Sequence, residues 1–208
     1  MKTSKTSVSA PKSDKPVQRQ ELEGTIWSFG FASGHRIVIG NWNRSPIGAF
    51  CDAMVAEPSG RRVLYANQTA TEYVQSIYRF DATRVATADA STSSDLTTLE
   101  FRCADLELAC KTGRAMRLIR RPAWFTRYLE APAARILFGV QLYGVSPTGV
   151  REWYRIDAVR FIAAATATIG NEALGDIGRV EPACNFGFSE PLRRPSAVEV
   201  RTSLEFEA

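Results

Sequence analysis

Histidine is almost missing from this chain of 208 residues, with His35 the only one. One imidazole excludes a His-built metal site, although it still suffices as a general base. His35 follows a turn glycine, so an exposed turn histidine is the expected role. Lysine is also scarce: beyond residue 22 only Lys111 occurs, against 20 arginines. That bias reads as genome composition rather than as selection for guanidinium chemistry. The four cysteines (Cys51, Cys103, Cys110 and Cys184) show no CxxC spacing, and no nearby base would activate a thiolate. They read as small core residues. No Gly-x-Ser-x-Gly elbow, Walker loop or Cys/His cluster is found, and Gly30-x-x-x-Gly34 falls in a hairpin rather than at a strand-to-helix junction. No metal and no cofactor are expected.

Long apolar runs are lacking too. None approaches the roughly 18 residues of a spanning helix, so no membrane span is expected. The first 22 residues contain neither an apolar core nor a small-residue cleavage site, so export is not expected and a cytoplasmic setting with free thiols is. The net charge of +4 is concentrated there: residues 1–22 account for +3, leaving about +1 for the rest. A near-neutral body offers no concentrated basic face, which argues against nucleic acid as a partner. Rich in Lys, Ser, Thr and Pro, residues 1–22 read as a disordered polar tail. Residues 23–208 read as one β-rich domain.

What is present is a succession of hairpins. Thr25–Phe31 and Arg36–Trp42 flank Ser33-Gly34. A two-residue loop there pairs Ala32 with His35 and gathers Trp27, Phe29, Phe31, Val38 and Trp42 on one face. Phe50–Glu57 and Arg61–Ala66 flank Pro58-Ser59-Gly60, setting Val55 against Val63 and Met54 against Leu64. Thr69-x-x-Glu72 has the spacing of a capping box, ahead of a short helix with a stripe of Tyr73, Val74, Ile77 and Tyr78. Leu99, Phe101 and Cys103 share a face with Leu106, Leu108 and Cys110 if Ala104-Asp105 is the turn. Ala115–Ile119 reads as a strand, Pro122–Phe138 as broken helix, and Val140–Ser146 with Val150–Ile156 as a third hairpin. Strands near Val159–Ile169 and Ala197–Phe206 close the chain. The fold class is mainly β, an antiparallel sandwich or barrel with one or two short helices.

The chain also repeats itself. Tyr78-Arg79-Phe80-Asp81-Ala82-Thr83-Arg84-Val85 is echoed by Tyr154-Arg155-Ile156-Asp157-Ala158-Val159-Arg160-Phe161. Both are preceded by Pro-x-Gly-x-Arg-x-x-Tyr. An internal β repeat of halves near 24–112 and 113–206 is one reading, and chance similarity of common residues is the other.

The candidate binding residues follow from strand alternation. Arg151, Trp153 and Arg155 project to one face with Tyr143 opposite Trp153, a surface able to grip an anionic head on an aromatic floor. The alternative is that the arginines stack on Trp153 and pair with acids such as Asp157. Asp52 shares a face with Phe50 and Met54. A carboxylate there either finds a hydrogen-bond partner or has its pKa raised. The loops Asn41–Pro46 and Phe186–Pro191 bring aromatics to polar groups, as barrel mouths do.

Gly48-Ala49-Phe50-Cys51-Asp52-Ala53-Met54, the Pro-x-Gly-Arg-Arg hairpin, Gly149–Arg155 and Phe186–Pro191 together resemble a group of uncharacterised β-rich bacterial proteins, mostly actinobacterial. The resemblance spans most of residues 24–206. It implies a bacterial, high-GC source and imports no catalytic residue.

Three functions are open. The leading expectation is a non-enzymatic β-barrel-like protein binding a small apolar or amphipathic ligand, with Trp27, Trp42, Asp52, Tyr143, Arg151, Trp153 and Arg155 as candidate contacts and Trp124 adding to the aromatic supply. The second is an enzyme using Asp52 or Glu190 as acid or base. The third is an interaction module whose basic tail docks on an acidic partner or a membrane surface.

Overall fold

The computed structural model describes residues 17–114, 116–117 and 142–207. The tail up to residue 16, Trp124 and the stretch expected as broken helix lie outside these. Strands dominate, joined into one curled, mixed sheet that forms a half-barrel, with a single helix among the described residues.

Three long strands make the spine. β1 (Val17–Phe31) pairs antiparallel with β14 (Ser196–Glu207), which pairs in turn with β11 (Arg151–Ile169). The folded part was expected to start near Glu23, but β1 begins at Val17. Residues from Val17 to Leu22 satisfy their backbone groups against Thr202–Glu207, and Leu22 is buried. On the β1 side the sheet continues through β2 (Arg36–Arg44), β3 (Phe50–Ala56), β4 (Arg62–Ala66) and β5 (Ala82–Val85). On the β11 side it continues through β8 (Leu106–Thr112), β7 (Thr98–Cys103) and β6 (Ala88–Thr92). Short β9 (Met116–Arg117), β10 (Tyr143–Val145) and β12 (Glu172–Ala173) attach to β11, and β13 (Ile177–Gly178) attaches to β1. Strands from 24–112 therefore lie on both sides of β11 and β14.

The inner face holds the largest core. Trp27, Phe29, Ile37, Ile39, Ala53 and Val55 meet Leu99, Phe101, Cys103, Leu106, Leu108 and Cys110 across the half-barrel. Burying one such large side chain contributes about 1.5–3 kcal/mol. The β7–β8 hairpin has the expected register, with Cys103 opposite Leu106 and Leu99 opposite Cys110. The β3–β4 hairpin likewise sets Val55 against Val63 and Met54 against Leu64.

The first hairpin differs from its expectation. Gly30 pairs with Arg36 and Phe29 with Ile37, one residue out of the two-residue-loop register. The loop has three residues: the Gly34 amide donates to Phe31 O at 2.8 Å, and Gly34 takes φ +83°, open to glycine without steric cost. A one-residue slip reverses every side chain. Ile37 and Ile39 therefore join Trp27 on the inner face, whereas Val38 and Trp42 turn to the other.

That other face is covered by α1 (Gln68–Ile77). Asn67, not Thr69, is its N-cap: the Asn67 side chain accepts from the Ala70 amide at 2.8 Å. Ala70, Val74 and Ile77 bury against Leu22, Phe50, Leu64, Val150 and Leu204. The far end is pinned by Thr148, whose hydroxyl donates to Ile77 O at 2.7 Å. Because a helix carries the chain back between them, β4 and β5 run parallel, the one departure from antiparallel pairing among the described strands.

The two echo segments occupy different settings. Tyr78 ends α1 and leads to edge strand β5, whereas Tyr154 lies within β11.

Candidate functional site

Even-numbered residues of β1, β2, β3 and β14, joined by Tyr154 of β11, face α1, and between sheet and helix they leave a cavity of about 50 Å³. Its wall is mostly apolar: Leu22, Ile26, Val38, Val74, Ile77 and Leu204 contribute. Trp42, Met54 and Tyr73 line it and are half-buried, which places them at its mouth. Phe50 meets Tyr73 edge-on with ring centroids 5.9 Å apart. Polar groups enter at few points, from Asp52, Thr202 and the tyrosines.

Asp52 is 2% exposed, and its Oδ1 accepts from Trp42 Nε1 at 3.2 Å. Burial lifts its carboxyl to about 7, with the Trp42 hydrogen bond opposing the rise. Gly40 makes the Trp42–Asp52 contact possible. A Cβ on Gly40 would come within 2.4 Å of Trp42 Nε1 and 2.6 Å of Asp52 Oδ1.

Beside the cavity stands a second buried carboxyl, Glu152, fully excluded from solvent. Tyr78 donates to Glu152 Oε2 at 2.6 Å, Tyr154 donates to the same oxygen at 3.0 Å, and the two hydroxyls are 2.8 Å apart. These three oxygens form a ring with three edges. An ionised Glu152 leaves two hydroxyl protons for three edges, so one edge is oxygen against oxygen. A protonated Glu152 supplies the third proton. Burial raises the Glu152 carboxyl to about 7, and burial likewise pushes both tyrosines well above their ordinary value. Glu152 Oε1 has no partner, a smaller penalty for a neutral carbonyl oxygen than for an anion. Thr202 Oγ1, in the cavity wall, is also buried without a partner. Phe188 closes over Tyr154, ring centroids 5.5 Å apart.

The structure separates the residues expected to act together. Asp52 and Trp42 meet in the cavity. Trp27 is in the inner core on the opposite face, its Nε1 without a partner. Tyr143, Arg151, Trp153 and Arg155 sit on the face of β11 turned away from α1. The predicted pairing of Tyr143 with Trp153 is present, with ring centroids 5.1 Å apart. Arg155 pairs with Asp157 at 3.4 Å, and Arg201 reaches the same carboxylate at 3.2 Å. Glu190 accepts from the amides of Cys184 and Asn185 at 2.7 and 2.8 Å, which fastens the Phe186–Pro191 loop. His35 is half-buried beside Ser33, 3.0 Å from its hydroxyl, and burial lowers its pKa.

Glu152, Tyr78, Tyr154 and Thr202 escaped the sequence reading. A signal for two of them was there: the tyrosines open the two echo segments, and their hydroxyls meet in space. All four cysteines are buried and unpaired. Among the described residues no group of three or more His, Cys, Asp or Glu could hold a metal, and no helix is long and apolar enough to cross a membrane. No protein-family model matches the chain, and no curated protein matches its sequence.

Proposed function

We propose that the chain is a non-enzymatic binding protein that takes the end of a small amphipathic molecule into the cavity beneath α1. One observation carries this reading: an apolar cavity with a buried, uncompensated carboxyl in its wall. About 150 Å³ accommodates benzene, so about 50 Å³ suits an end group of roughly two heavy atoms. The rest of such a molecule would lie among Trp42, Met54 and Tyr73. The unpaired thiols support a reducing, cytoplasmic setting, and membership of the resembling bacterial group belongs to the same proposal. Native mass spectrometry and ligand-induced melting shifts across small amphiphiles test the reading. Saturable binding that Gly40→Ala abolishes is expected. Binding left intact by Gly40→Ala, or none across the panel, contradicts it.

A second reading has its own support. A carboxyl lifted to about 7 is suited to acid–base work at neutral pH, which favours Asp52 as the general acid or base of an enzyme. Glu190 is the weaker candidate of the two, since each of its oxygens accepts from a backbone amide. Catalysis requires turnover that follows a single titration and vanishes in Asp52→Asn. A binding role requires only affinity.

A further inference from the structure

We propose that the group entering the cavity is a small primary ammonium, held by Asp52 inside an aromatic-lined cavity. This rests on the ligand-binding reading above and specifies its head group. Among the described residues lining the cavity there is no lysine, arginine or histidine, so no side chain there neutralises Asp52. The ionisable and polar groups facing it from the packed elements are Trp42 on β2, Tyr73 midway along α1, Tyr78 at the C-terminal end of α1, Tyr154 on β11 and Thr202 on β14. Glu152 lies behind the two tyrosine hydroxyls that it binds.

The chemistry of this wall selects among ligands. An anion finds carboxyl groups, and the one indole N–H is already given to Asp52. A divalent metal wants six or more oxygen ligands for calcium, or near-octahedral geometry for magnesium, and the wall is largely hydrocarbon. An alcohol supplies one donor. A primary ammonium supplies three, and with them the positive charge that no side chain of the cavity wall offers Asp52. The rings of Trp42, Phe50, Tyr73, Tyr78 and Tyr154 line the cavity, and a ring face turned inward favours a desolvated cation further. The volume fits methyl- or ethylammonium, or the end of a longer amine.

The dependence on pH has a fixed sign. Asp52 binds a cation as the carboxylate, and burial raises its carboxyl to about 7. Affinity therefore rises by about 30-fold between pH 5.5 and 8, while an alkylamine stays protonated.

The test is NMR titration of the Trp42 indole N–H, assigned with Trp42→Phe. The intact protein is titrated with ethylammonium chloride, ethanol and sodium acetate, with sodium chloride as the ionic-strength control. A saturable shift with ethylammonium is expected, at least ten-fold tighter than with ethanol and absent with acetate. Asp52→Asn should lose at least ten-fold in affinity. If Asp52→Asn does not fold, an ethylammonium affinity that stays flat between pH 5.5 and 8 overturns the proposal by itself. Ethanol binding as well as ethylammonium, or acetate binding better, overturns the ammonium assignment and leaves the ligand reading standing. Silence from all three probes together with silence across the amphiphile panel removes both.

Discussion

At the scale of single residues, the decisive groups are two carboxyls kept from water without a cation beside them. Asp52 and Glu152 are lifted from ordinary values of 3.8 and 4.5 to about 7, mainly by burial. Between about pH 4 and 7 the folded protein holds protons that the unfolded chain releases. Their stabilising effect is thus complete in acid and lost as pH rises through 7. The loss is on the order of 3 kcal/mol for each group. Asp52→Asn and Glu152→Gln keep the neutral shape and remove the titration. Urea denaturation at pH 4.5 and pH 8 should show each variant gaining stability over the parent at pH 8 relative to pH 4.5. An equal difference at both pH values contradicts this. Asp52 was legible in the sequence because a carboxylate stood in phase with Phe50 and Met54. Glu152 was not, since the eye follows Arg151, Trp153 and Arg155 in the opposite phase of the same strand. Whether a charged residue faces solvent or a buried ring of hydroxyls depends on what packs over the strand, and alternation alone does not report that.

At the scale of elements, turns and caps decided what could be read. The β3–β4 and β7–β8 registers followed from their turn residues. The β1–β2 register did not, because a three-residue loop closed by Gly34 shifts the phase by one and sends Val38 and Trp42 to the helix side. The meeting of Trp42 with Asp52 is set by the next pairing, in which β3 places Asp52 opposite Gly40 and Phe50 opposite Trp42. The α1 cap shows the same lesson on a smaller scale. Thr69 fits a capping box in sequence, but the helix starts one turn-fraction earlier, where Asn67 reaches the Ala70 amide. Asn67→Ala should cost about 1 kcal/mol in chemical denaturation, whereas exposed Thr69→Ala should change little. The opposite ranking would restore Thr69 as the cap.

At the scale of the whole molecule, β14 is the seam between the two wings of the sheet. Val198 pairs with Ile26 on one side and Val159 on the other. Proline removes a ladder donor and is confined to edges and bulges, so Val198→Pro should abolish near-ultraviolet circular dichroism and cooperative melting. A cooperatively folded Val198→Pro would mean that β14 is not interior. Alternation and turn residues announced a β-rich chain, but sheet order was hidden, because β1 and β14 join distant parts of the sequence. The cavity inherits that long-range pairing: Asp52 comes from β3, Glu152 and Tyr154 from β11, Thr202 from β14 and Tyr78 from the end of α1.

The whole account depends on those carboxyls being enclosed in the native fold. Carbon-13 NMR titration of the side-chain carboxyl resonances reads this directly. Two resonances should titrate near pH 7, one disappearing in Asp52→Asn and the other in Glu152→Gln. If every carboxyl in the folded protein titrates below about pH 5, the enclosed site described here does not exist.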